Sequence, residues 1–187
     1  YGESRFPQPV VPVTGLDDVA NGLVLVGLSE GPTMAFKDLA MQFLGQAIPY
    51  VLAKHGQVLN ILGATSGDTG SAAEHAFRGQ EGLSVFMLSP AGRMSPVQRA
   101  QMYTLQDANI HNIAVRGVFD DCQALVKRAL NDASLQAQVP LSSANSISLG
   151  RLLPQMSYYA HAALAHRAAT GREGVLTASL PCSPCCP

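Results

Sequence analysis

The 187-residue sequence predicts an α/β fold, a parallel sheet sandwiched in three layers between helices. Three observations carry that prediction. Short β-type apolar runs alternate with stretches of helical periodicity along the chain. Their spacing suits βαβ units, in which crossover helices cover both faces of the sheet. A hydrophobic fraction of 47% against 13% charged residues supplies a large core. There is no internal repeat, and no Pro/Ser-rich linker interrupts the chain before residue 175. A second unit would therefore be interwoven with the first.

The elements follow in order. Leu23–Leu28 is a strand-like run. Phe36, Leu39, Ala40, Phe43, Leu44, Ala47, Ile48, Val51 and Leu52 then keep the i, i+3, i+4 rhythm of a long amphipathic helix. Val58–Leu62 reads as a strand closed by the turn GATSGDTG, with a helix from about Ser71 to Phe77. Ser84–Leu88 is a third strand. Ser95-Pro96-Val97-Gln98 is a capping box with proline at the first helical position, opening a helix that reaches about Leu105. Ile110–Val115 is another strand. Phe119 to Leu130 forms a helix with Asp120 and Asp121 in its first turn and Lys127 and Arg128 in its last, matching the helix dipole. A short run near Leu141 leads to a final helix from about Ser148 to Ala169, which Pro154 starts late or kinks.

Composition excludes several function classes. Twelve basic and thirteen acidic side chains leave a net charge of -1. Nucleic-acid binding draws its affinity from a basic surplus or stripe, which is missing. The longest apolar run, Gly22–Leu28, is far short of the roughly 18 residues a membrane span needs. Cys122 stands apart from Cys182, Cys185 and Cys186, so no disulfide framework is spread through the chain. A reducing, cytoplasmic setting is expected. His55, His75, His111, His161 and His166 lack metal-pair spacing and read as structural or surface residues.

Three loops follow strands and enter helices, where free N–H groups gather ligands. In SEGPTMAFKD (29–38), Lys37 lies in the first turn of the long apolar helix. The helix dipole and partial burial disfavour a cation there, favouring the neutral amine that imine chemistry with a carbonyl cofactor uses. The plainer alternative is a surface lysine at a helix start. Lys54 and Lys127, the remaining lysines, read as solvated. In GATSGDTG (63–70), Gly63, Gly67 and Gly70 permit a tight turn while Thr65, Ser66 and Thr69 offer hydroxyls to an anion. An ordinary βα turn is the alternative. It matches neither a Walker loop nor the dinucleotide fingerprint, and Asp68 suits a donor on the ligand. In SSANSISLGR (142–151), Asn145, Ser146 and Arg151 open the last helix, and Asn145 or Ser146 could serve only as an N-cap.

Taken together and in order, GPTMAFKD, GATSGDTGSAA and SSANSISLGRLLPQ resemble the threonine synthase family, pyridoxal-phosphate enzymes of the tryptophan-synthase-β fold group. VQRAQM (97–102) and HNIAVRGVFDDCQALVK (111–127) also look like that family, and the resemblance covers roughly residues 20–172. It implies fold type II, with Lys37 forming the Schiff base to pyridoxal 5'-phosphate and moving protons between substrate carbons. It further implies conversion of O-phospho-L-homoserine and water to L-threonine and phosphate. Asp68 would touch the cofactor; Ser66, Thr69, Asn145, Ser146 and Arg151 would touch substrate. Residues 1–58 would belong to a large cofactor lobe, 59–144 to a smaller parallel α/β lobe, and 145–175 to the large lobe again.

The resemblance stops after Val175, where the family pattern calls for a PTGNFG-type loop that holds the cofactor phosphate. Here the sequence reads LTASLPCSPCCP, rich in cysteine and proline. Residues 176–187 are therefore expected to derive from a shifted reading frame, and the chain is expected to bind cofactor weakly and to have little activity. Two other functions fit less of the pattern: a related lyase of the serine/threonine dehydratase kind, and an inactive phosphate-ligand-binding fragment.

Overall fold

A computed structural model describes residues 5–143 and 149–174. Two short strands come first, β1 (Val13–Gly15) and β2 (Val24–Val26), followed by helix α1 (Lys37–His55). Strand β3 (Leu59–Ala64), helix α2 (Asp68–Phe77), strand β4 (Leu83–Pro90) and helix α3 (Pro96–Tyr103) continue the alternation. Strand β5 (Ile110–Val115), helices α4 (Phe119–Asn131) and α5 (Ala133–Gln138), strand β6 (Leu141–Ser142) and helix α6 (Leu149–Thr170) complete it.

The four strands β3 to β6 form one parallel sheet in the order β5-β4-β3-β6. Leu59 pairs with Leu83 and Ala64 with Leu88, so β3 and β4 run in step along the whole of β3. The period-two alternation of a strand then sorts side chains between the two faces. Ile61, Val85 and Met87 enter a core with Met41, Ala72, Ala73, Ala76, Phe77 and Met102. Leu62, Ala64 and Leu88 face the other way, onto Cys122 and Val126 of α4. Helices therefore cover both faces, as the alternation predicted. Each fully buried Val, Met or Phe contributes on the order of 1.5–3 kcal/mol relative to exposure.

Helices α1 and α2 pack closely because residue 45 has no side chain. A Cβ on Gly45 would lie 2.4 Å from the Ala76 carbonyl oxygen. Helix α1 also packs against α6, and a small core of Phe6, Leu39 and Tyr158 joins these helices to the N-terminal segment.

Several boundaries differ from the sequence expectation. The first predicted strand shortens to Val24–Val26 and pairs antiparallel with β1, outside the parallel sheet. Strand β1 and helix α5 carry weak local periodicity and went unpredicted. Helix α5 is started by Asp132, whose carboxylate accepts from the Ser134 and Leu135 N–H groups at 3.0 and 3.1 Å. Helix α2 starts at Asp68, three residues early, for a reason that belongs to the site. Helix α6 runs through Pro154 from Leu149. The Cys/Pro segment and the expectations attached to it lie outside the described residues.

Candidate active site

The lysine loop is organised by the residue after the lysine. Asp38 is wholly buried, and its two oxygens accept from the Thr33 N–H and the Thr33 hydroxyl, both at 2.8 Å. Burial pushes its carboxyl up, and these two hydrogen bonds oppose that shift. The loop folds so tightly over Asp38 that a Cβ on Gly31 would lie 2.4 Å from the Asp38 Cβ. Met34, at the tip, adopts a left-handed φ of 57°, uncommon for a residue with a side chain. From α3, the Gln101 side-chain amide donates to the Thr33 carbonyl at 3.1 Å. With the loop pinned on both sides, Lys37 becomes the first residue of α1, its Nζ 5.4 Å from the centre of the Phe36 ring.

The glycine loop is organised by a threonine. Thr65 is 1% exposed, and its hydroxyl oxygen accepts from the Gly67 N–H at 2.9 Å and the Gly70 N–H at 2.8 Å. Such capping lets α2 begin at Asp68 instead of Ser71. It also corrects the role read for Thr65 from the sequence: its hydroxyl and two of the loop's N–H groups are engaged with each other, inside the protein. Ser66, Asp68 and Thr69 remain partly exposed. Gly67 has φ 148°, and a Cβ there would meet the Gln98 side chain at 2.2 Å.

Between the two loops, Lys37 Nζ lies 3.2 Å from Asp68 Oδ2, with side-chain exposures of 19% and 32%. Asp68 Oδ1 accepts from the Gln98 side-chain amide. A primary amine is thus held by a carboxylate, in partial contact with solvent, at the C-terminal end of β3 and the N-terminal ends of two helices. Lys54 and Lys127 are exposed.

Arg151 stands apart in character. It is 1% exposed, and its Nε and Nη1 have no hydrogen-bond partner among the described residues. Burial works against its charge, while the Tyr158 side chain supports it; Tyr158 in turn is pushed up to about 12, chiefly by burial. Because Tyr158 packs with Leu39 and the Phe36 side chain, this guanidinium belongs to the side of α6 that meets the start of α1. Buried nitrogen donors left unpaired are costly, and an anionic ligand would satisfy them. Asn145 and Ser146 lie outside the described residues.

The part-buried Lys37 amine, held by Asp68, fits a carbonyl-bearing cofactor. Among the described residues, no three His, Cys, Asp or Glu side chains are clustered as metal ligands would be. His111 stacks on Phe86 at 4.6 Å, and His75 donates through Nε2 to the Gln101 carbonyl at 3.2 Å. A depression of about 320 Å³ lined by Tyr103, Leu105, Ile110, Asn112 and Ala114 lies along strand β5 and contains none of the residues above.

Comparison with known proteins decides the family. The chain is 53% identical over 159 residues to a threonine synthase of Methylobacillus glycogenes, covering 85% of this chain and 34% of that one. It is 50% identical over 174 residues to a threonine synthase of Corynebacterium glutamicum, covering 93% and 35% respectively. The chain belongs to the threonine synthase family. A crystal structure of a pyridoxal-phosphate-bound threonine synthase from Brucella melitensis superposes with a TM-score of 0.81 at 42% identity, over 90% of this chain and 36% of that one. This likeness carries the fold type II assignment. The chain spans about a third of the length of the curated threonine synthases it matches. No protein-family profile matches it.

The fold brings Lys37 and Asp68 together across 31 positions of chain. Ser66 and Thr69 flank Asp68. The pairing of Lys37 with Asp68, the inward turn of Asp38 and the contact of Gln98 with Asp68 went unread. Only the capping box at Ser95 hinted at an ordered Gln98.

Proposed function

We propose that this chain carries the amine-bearing part of a threonine synthase, converting O-phospho-L-homoserine and water to L-threonine and phosphate. Support comes from the Lys37–Asp68 pair, set between two separately anchored loops, in a chain with the family's sequence and fold. Pyridoxal 5'-phosphate, when bound, supplies an electron sink conjugated to the substrate α-carbon.

Each residue has a task in this reading. Lys37 would hold the cofactor through Nζ, and the same nitrogen would take and return protons. Asp68 keeps that nitrogen in place and is assigned to the cofactor by resemblance. Ser66 and Thr69 offer hydroxyls to anionic groups of the substrate. Arg151 gives its unpaired Nε and Nη1 to an anionic group, and Asn145 and Ser146 are assigned to substrate by resemblance alone. The lobes are read as 1–58 with 145–175, and 59–144 between them, supported by the origin of all four parallel strands in 59–142. A cytoplasmic setting is part of the same reading.

Lys37→Ala tests the reading. The long-wavelength absorbance of the lysine-linked cofactor is expected to vanish, together with any cofactor-dependent phosphate release from O-phospho-L-homoserine. Retention of that absorbance in the variant would defeat the assignment.

A further inference from the structure

The stretch VQRAQM looks like the family yet receives no task from the reaction described above. Its first glutamine, Gln98, is the N3 residue of the α3 capping box. In an ordinary capping box that side chain reaches back to the helix start and has no other role. Among the described residues it reaches both Ser95 and Asp68. Gln98 Oε1 accepts from the Ser95 hydroxyl at 3.0 Å and the Ser95 N–H at 3.4 Å, while Nε2 donates to Asp68 Oδ1.

The backbone N–H of Ser95 fixes which way the amide points. An N–H can only donate, so it must face the oxygen of the amide, and the NH₂ must then face Asp68. Gly67 clears the space, since any Cβ there would collide with the Gln98 amide carbon at 2.2 Å. The Asp68 carboxylate is thereby divided between two donors, Gln98 on Oδ1 and Lys37 on Oδ2. No other charged side chain competes for this pair among the hydrogen bonds and ion pairs of the described residues: the neighbouring Asp38 is turned to Thr33.

We propose that Gln98 is a positioning residue for the Lys37 amine, acting through Asp68. Its neutral donor holds the carboxylate in place and shares its charge, so that Lys37 is aligned by Asp68 without being locked to it. When Lys37 engages a carbonyl group and gives up N–H donors, Gln98 keeps Asp68 ordered. The α3 cap thus connects a purely structural motif to the reacting nitrogen. This proposal rests on the reading of Lys37 and Asp68 as site residues.

Lys37 reactivity can be followed without cofactor, by acetylation with acetic anhydride across a pH series and peptide mass spectrometry. Exposed Lys54 and Lys127 serve as references within the same chain. Gln98→Glu keeps the cap, since glutamate is equally suited to N3, but turns a carboxylate toward Asp68. The Lys37 profile is expected to move to higher pH, with acetylation about tenfold slower at pH 8, because a second anion near the ammonium favours its charged form. Gln98→Met, which has no donor and no charge, is expected to slow it about two- to threefold. Lys54 and Lys127 stay unchanged in both. A merely structural role would loosen α3 and speed Lys37 acetylation instead. In the unsubstituted protein, the Gln98 side-chain amide resonance is expected to shift when Lys37 is acetylated. A Lys37 profile unmoved or moved to lower pH in either folded variant overturns the proposal, as does an unshifted amide resonance. Failure of cofactor attachment with these shifts intact would strike the cofactor reading alone.

Discussion

The lysine loop and the glycine loop solve one problem with opposite materials. In the first, a charged side chain is buried and satisfied by a loop that wraps it: Asp38 with Thr33, Gly31 and a left-handed Met34. In the second, a neutral hydroxyl is buried and caps backbone: Thr65 with the N–H groups of Gly67 and Gly70. Both anchors are inaccessible and both immediately adjoin or nearly adjoin a part-exposed charged residue, Lys37 in one case and Asp68 in the other. The anchors make rigid what the exposed pair needs in order to face each other. Neighbours in sequence therefore have opposite duties, and a cluster of polar residues in a loop cannot be treated as one ligand-binding set.

A third buried polar residue provides the control for that contrast. Glu74 on α2 is wholly buried, with one oxygen near the Asn112 side-chain amide at 3.3 Å and the other without a partner among the described residues. Burial pushes its carboxyl up from 4.5 to about 8. The folded state therefore binds a proton that the unfolded state releases between those values, and stability falls as pH rises through the window. Glu74→Gln removes this loss. The variant is expected to gain stability over the parent between pH 5 and pH 8, by as much as about 4 kcal/mol, read from urea unfolding at both pH values. Equal pH dependence in the two proteins would show that Glu74 is satisfied as the other anchors are.

The anchors themselves are predicted to fail differently. Asp38→Ala leaves the Thr33 N–H and hydroxyl without their acceptor and opens a small void, a loss of about 3 kcal/mol by chemical denaturation. The Lys37 loop should also become a site of limited proteolysis while α2 stays protected. Thr65→Val keeps shape but strands two N–H groups, a smaller loss of about 2 kcal/mol. Its local signature is faster amide exchange at Gly67 and Gly70, with the lysine loop unaffected. If either substitution disturbed both loops equally, the two anchors would not be independent.

What could be read from the sequence follows the range of the interactions involved. Strands β3, β4 and β5 are contiguous apolar runs, and α1, α3 and α4 carry caps or periodicity within a few residues, so local pattern sufficed. Strand β1 has only three residues and is defined by its partner Val24–Val26. Lys37 and the glycine loop stood out by residue type and position. Their meeting did not, because Asp68 lies 31 positions away and its approach depends on how α1 packs on α2. Arg151 was legible as a polar residue near a helix start, but its burial without a partner was not. Asp38 was overlooked since a buried carboxylate and a solvated one are identical in sequence.

The central claim is that Lys37 is the amine to which the cofactor attaches. Incubating the protein with pyridoxal 5'-phosphate, reducing with borohydride and mapping the fixed adduct by peptide mass spectrometry tests it most directly. Three lysines compete, two of them exposed. The adduct is expected on Lys37, well ahead of Lys54 and Lys127. Labelling that favours either exposed lysine, or spreads evenly over all three, would contradict the account.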